Sequence, residues 1–401
     1  MTVEYLISKG FSKEAALIIR NCYGLKDYKD ESLLECTKKV YEWLINKDYN
    51  ETEIVKIGNV APTIFGYTIS KLEQRIEDYK KIGLSEPEIH KMVKTLPTML
   101  TISKININSK IKKLKSIGFK KNTTLKIIKN QPSIFSYGED NIEQKINDLI
   151  NIGYKKKEIL HMYKVFPPLF GLAIDNIKDK IKYFKNLNYN DKEIIKITIL
   201  LPTIFGLSDK EINTKIDNLI NIGYSKEQVL TMIKKLPSLI GYNIDSLNDK
   251  HNEIKSLGYT ESEVIKMCSK TPQLYSYDIK SMQKKLDIIV DEKYTKEEAL
   301  NMAFVLPSIY GLSKDNIKEK LDFYNSVGLH DIGVLDPKQL MQSTELSYAR
   351  YQFYKGLDIK IDMKNYKKLF ISRTDFELMY HIDKETLLKM YSYENSKKKI
   401  K

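Results

Sequence analysis

A proline recurs at Pro62, Pro97, Pro132, Pro167, Pro202, Pro237, Pro272 and Pro307, each 35 residues after the last. A fixed period of this size, held without insertion or deletion, restricts the chain to one supersecondary unit stacked on itself. Any function is then spread along a surface to which each unit contributes the same group.

The flanking residues spell out the unit. Fourteen residues before the proline stands Gly83, Gly118, Gly153, Gly223 or Gly258, with Asn188 once and Asp48 and Lys293 as departures. Gly or Asn just past a helix end supplies a left-handed conformation that other residues adopt at a cost. Two residues on comes a helix-start residue (Asn50, Ser85, Asn190, Ser225, Thr260, Thr295), and three further a Glu or Gln (Glu53, Glu88, Glu193, Gln228, Glu263, Glu298). That is the spacing of a capping box, broken at Lys120 and Lys155. A helix of about ten residues is expected to follow and to stop at the proline, which disfavours helical geometry in the residue before it. Pro-Ser or Pro-Thr then suits a short helical turn. The small residue after it (Gly66, Gly171, Gly206, Gly241, Gly311) lets the backbone turn closely. A second helix carries an apolar stripe such as Ile212, Ile216 and Leu219.

One such unit cannot bury its stripes alone, whereas eight in a row form a continuous core. The expectation is an all-α, right- or left-handed superhelical solenoid: an N-terminal helical cap over 1–47, eight repeats over 48–327, and a degenerate repeat with a C-terminal helical cap over 328–401. Past Gly328 the period decays, with Gln342 where a ninth proline would fall.

No run of about 18 apolar residues occurs, so no transmembrane helix and no membrane partner are expected. The N-terminus resembles neither a secretory signal nor a transit peptide, and Cys22, Cys36 and Cys268 suit a reducing compartment. A cytoplasmic monomer, nucleoid-associated in a prokaryote, is expected. The net charge is +14, of which the repeats carry +9, pointing first to nucleic acid. The basic end Lys397–Lys401 reads as a solvated terminus. The five histidines occupy different repeat columns without metal-ligand spacing, and no phosphate-cradling Gly-rich loop or nucleophile–base pair is visible. No enzyme, metal or cofactor is expected. Tyr154, Tyr189, Tyr224, Tyr259 and Tyr294 share one column and read as core.

One charged column is filled in all eight units. Thirteen residues after each proline stands Arg75, Lys110, Lys145, Lys180, Lys215, Lys250, Lys285 or Lys320. At 100° per residue this position lies about 60° from the apolar residue ten after the proline, at the edge of the apolar arc. There a methylene stem can lie along the core and present its charge at the margin. The column reads equally as a ladder of phosphate contacts or as ion pairs with the capping-box glutamate of an adjoining unit. A looser column six before the proline (Lys56, Lys91, Lys126, His161, Lys196, Lys266) reads as a solvated face. Eight stacked units would span on the order of 80 Å, about 20 base pairs of duplex.

The pattern Gly-Tyr-Ser-Lys-Glu-Gln-Val-Leu through Leu-Pro-Ser-Leu to Leu-Asn-Asp-Lys, over 223–250, resembles the repeat of the mitochondrial transcription termination factor (mTERF) family. The likeness covers 48–327. It implies an all-α superhelix of helical units whose positive concave groove binds duplex DNA, or in some members RNA, and that the eight basic residues line that groove. The expected function is phosphate contact with duplex DNA in transcription regulation or termination. The alternatives are a protein-binding solenoid scaffold and a single-stranded RNA reader. The latter needs one variable residue pair per base, and the variable column Thr68, Ser103, Gly138, Ala173, Ser208, Asn243, Asp278 and Ser313 reads instead as helix-cap chemistry.

Overall fold

The computed structural model describes residues 1–22, 27–391 and 393. The basic end at 397–401 lies outside them. The described residues are all-α, without a strand, and fall into two compact units, Met1–Asp209 and Lys210–Lys401.

Each repeat builds the same three pieces, because each meets the same local instructions. The first helix has ten residues every time: Glu51–Val60, Glu86–Thr95, Lys121–Asn130, Lys156–Val165, Asp191–Leu200, Lys226–Lys235, Glu261–Lys270 and Lys296–Val305. Its start is capped reciprocally at Asn50, Asn190, Ser225, Thr260 and Thr295, where the cap side chain and the Glu or Gln three residues on each accept the other's backbone N–H. Lys155 keeps half of this arrangement, its N–H donating to Glu158, and Lys120 keeps none. The helix ends where the residue before proline leaves helical space, as at Leu201 with φ −132° and ψ 72°. The proline then opens a five-residue 3₁₀ turn, as in Pro202–Gly206. A second helix of 13 or 14 residues completes the repeat.

The left-handed position is imposed by the fold and not by the residue that fills it. Gly83, Gly118, Gly153, Gly223 and Gly258 have positive φ there, but so do Asn188, Asp48 and Lys293, the last at 74°. The small residue of the 3₁₀ turn has another reason. At Gly171 and Gly311 a Cβ would lie 2.8 Å from the hydroxyl oxygen of Tyr137 or Tyr277 in the preceding repeat.

The period does not stop at the eighth repeat. Ile332–Leu335, a 3₁₀ turn at Pro337–Met341 and a helix at Thr344–Gly356 form a ninth unit. Its proline arrives five residues early because its first helix is cut to four residues.

Within each unit the first helices of neighbouring repeats pack on one another, and so do neighbouring 3₁₀ turns or second helices. The tyrosine column is core. Tyr154, Tyr189, Tyr224, Tyr259 and Tyr294 are all buried, and hydroxyls reach across a seam, as Tyr154 to Thr198 Oγ1 at 2.7 Å and Tyr259 to Tyr310 at 2.7 Å. Burial pushes the Tyr154 phenol up to about 12 and those of Tyr189, Tyr259 and Tyr294 further.

Two outcomes follow from this packing. Replacing Lys293 by Gly relieves a left-handed side chain and is expected to stabilise the protein by about 0.5–1 kcal/mol. Gly258→Ala adds a Cβ at 3.0 Å from Leu300 Cδ1 and destabilises; urea denaturation of the two variants measures both. The raised phenols stay protonated in the folded state after the unfolded chain has begun to ionise near pH 10. The unfolded state then binds fewer protons, so stability falls as pH rises above 10, by about 1.4 kcal/mol per pH unit for each such tyrosine. Tyr259→Phe should lower the slope of alkaline denaturation by one proton.

Candidate nucleic-acid interface

In four repeats the second helix places its residue of the basic column against a carbonyl at or beside the 3₁₀ turn of the next repeat. Lys145 Nζ donates to the Leu172 carbonyl at 2.5 Å, and Lys215 Nζ to the Tyr242 carbonyl at 2.9 Å. Lys285 and Lys320 donate in the same sense to the carbonyls of Tyr310 and Gln342. Lys180 reaches into the next repeat as well, pairing with the Asp209 carboxylate, with its ammonium 5.4 Å from the centre of the Tyr183 ring. Arg75 and Lys250 turn instead to acids on their own helix, Asp78 at 3.1 Å and Glu253 at 2.6 Å. Lys110 is 5% exposed, close to Lys180 at 7% and Lys320 at 5%. Burial holds the ammonium groups of Lys145, Lys285 and Lys320 below the ordinary lysine range.

Of the two readings of this column, a ladder of phosphate contacts or pairing inside the fold, the geometry supplies internal partners for seven of the eight side chains. Most of these cations are turned to partners inside the fold, and three are buried. The alternative pairing also takes another form. Capping-box glutamates do receive a lysine from the adjoining repeat, but from the position three before the proline. Lys94 reaches Glu53 at 2.7 Å and Lys129 reaches Glu88 at 2.5 Å.

A regular column of unpaired charge lies on the first helices. In the N-terminal unit Lys56, Lys91, Lys126, His161 and Lys196 are exposed and make no ion pair among the described residues. Four residues before and three after them on the same face stand Lys157, Lys192 and Lys164, also exposed, with Lys94 and Lys129. From Pro87 to Lys196 these three columns contain no acid; in the C-terminal unit Glu227 and Glu297 enter them. Glu53, Glu88, Glu158 and Glu193 stand three residues before four of these cations, but each accepts the N–H of its own helix cap, which leaves the column without an ion pair.

Among the described residues no group of three or more His, Cys, Asp or Glu side chains is placed to hold a metal, and no helix is long and apolar enough to cross a membrane. Cys22, Cys36 and Cys268 are free thiols.

A tandem array of Pro-punctuated helical units defines an all-α helical-repeat protein. The mTERF family model matches residues 2–197, 176–294 and 254–332, and the chain belongs to the mTERF family. Membership suggests a nucleic-acid-binding repeat protein of the kind that acts in transcription or its termination, from a family that is typically non-enzymatic. A comparison with curated proteins gives no match.

The cross-repeat bridge can be tested directly. Lys215→Met keeps the aliphatic stem and removes the donor to Tyr242. It should cost about 1–2 kcal/mol, the loss of a charge-assisted hydrogen bond at a half-buried site. Hydrogen exchange should show the loss concentrated at residues 237–247 next to the seam.

Proposed function

We propose that this chain binds duplex DNA by phosphate contacts from the outer face of its first helices. The exposed, unpaired lysine column of the N-terminal unit carries this reading. Lys56, Lys91, Lys126 and Lys196 recur at one position on helices that pack side by side. Helices pack 8–10 Å apart, so the five first helices of this unit extend over roughly 40 Å, about twelve base pairs. Lysines that make no ion pair keep their charge for a partner, and each neutralised phosphate releases counterions.

The invariant column enters this reading as framework. Lys145, Lys215, Lys285 and Lys320 hold successive repeats in register, so that the outer lysines recur at constant spacing. Duplex is favoured over single strands because the buried tyrosine column offers no aromatic platform for stacking bases. Little base reading is implied, and regulation or termination of transcription by occupancy of the duplex is the corresponding role.

Fluorescence anisotropy across a salt series tests the reading. Lys91→Ala/Lys126→Ala/Lys196→Ala should weaken duplex binding at low salt by more than tenfold and reduce the slope of log K against log salt by about 2.7, or 0.9 per lost contact. Lys215→Met should leave the slope unchanged at temperatures where it is folded. An unchanged slope in the triple variant would remove this face as the interface. Salt-independent or absent affinity for both DNA and RNA would favour a protein-binding scaffold.

A further inference from the structure

Where one repeat hands over to the next, the last turn of a second helix faces the first turn of the following first helix. Three such seams close with an ion pair between equivalent positions. They are Lys80–Glu86 at 2.7 Å, Lys185–Asp191 at 2.7 Å and Lys255–Glu261 at 2.9 Å. Three others set an apolar residue against lysine: Ile150 with Lys156, Ile220 with Lys226 and Val290 with Lys296. The seam between the second and third repeats does neither. It sets Lys115 against Lys121, two exposed lysines with no ion pair among the described residues.

That seam holds a cavity of about 300 Å³. Lys81, Lys115 and Lys121 line it with Asn108, over an apolar floor that includes Ile111 and Leu125, and no carboxylate is among the lining residues. Thr124 lines it too. In the other seven repeats this position is Ile54, Ile89, Ile159, Ile194, Val229, Val264 or Ala299. The Thr124 side chain is 1% exposed, and its hydroxyl has no hydrogen-bond partner. A buried hydroxyl without a partner costs about 1–3 kcal/mol, so an unfilled bond at this position requires a reason. The helix that supplies Lys121 and Thr124 is also the one whose start lacks a side-chain cap and whose first turn lacks an acid. Uncapped first-turn N–H groups favour negative charge.

From these independent features we infer an oxyanion site for a phosphate group at this seam. Three ammonium groups supply the charge, and the Thr124 hydroxyl and Asn108 amide supply neutral donors. Bound phosphate replaces the carboxylate that closes the sister seams and gives the Thr124 hydroxyl its acceptor. The inference stands on the cavity's own chemistry and not on the duplex-DNA reading. The phosphate can come from a nucleic-acid backbone or be free in solution.

The test uses the full chain with inorganic phosphate as probe, against chloride at equal ionic strength. Wild-type protein should show saturable binding by isothermal titration and a phosphate-specific rise in melting temperature. Lys121→Glu/Thr124→Val rebuilds the seam as its sisters are built. It should melt no lower than wild type in phosphate-free buffer, yet bind phosphate at least about tenfold more weakly, the ratio one charge-assisted hydrogen bond supports. Lys121→Arg keeps the charge and should keep the response. No phosphate-specific effect in wild type, or an equal effect in the double variant, overturns the site. Duplex titrations then identify the source. A salt slope smaller by about 0.9 in the double variant marks a backbone phosphate, and an unchanged slope marks free phosphate.

Discussion

The molecule depends on where each first helix is made to stop. Proline forces the preceding residue out of helical space after ten helical residues, and the 3₁₀ turn that follows is fixed in length. The end of such a turn leaves carbonyls that no helix satisfies. In four repeats the lysine of the preceding second helix supplies the donor to a carbonyl at or near the end of that turn. Proline thus creates a need that the preceding repeat meets, and this links one repeat to the next. An ammonium group suits the task because it carries three donors on a flexible stem that lies along the apolar stripe. Its partial desolvation, visible in the lowered pKa of Lys145, Lys285 and Lys320, is offset by that bond.

Much of this was legible in the sequence, because the repeat compares the chain with itself. The caps, the ten-residue helices, the proline stops and the buried tyrosines follow from local chemistry repeated in phase. What counting could not supply was how the seams fill. Lys293 and Asp48 looked like exceptions to the glycine column, yet both take positive φ, since the packed helices on either side dictate the path. The ninth unit was hidden because Pro337 sits five residues ahead of its place, so that Gln342 marked a decay where the structure has only a shortened helix.

The basic column shows a different limit. Its constancy was evidence of constraint, and constraint has two sources, a partner outside the fold or a partner inside it. Its place at the edge of the apolar arc was the clue that separated them. A side chain there has the core on one side and the next repeat on the other, and the next repeat offers a carbonyl at bonding distance. The looser column varies more because nothing in the fold holds it, and for the same reason its charge remains free in the N-terminal unit.

Charge in this chain is therefore sorted by position. Lysines facing a seam meet carbonyls, acids or apolar residues, and the outward column of the N-terminal unit six residues before the proline meets none of these. Lys115 and Lys121 are the exception, since they face a seam and are unmatched. Two like charges close together oppose folding, and a buried threonine hydroxyl without a partner opposes it further. An acid in place of Lys121 would remove the repulsion, as the sister seams demonstrate with Glu86, Asp191 and Glu261. A fold that closes the six other seams in one of two ways, an ion pair or an apolar residue against lysine, and leaves this one open beside an uncapped helix start, is built there for a negative charge that is not its own.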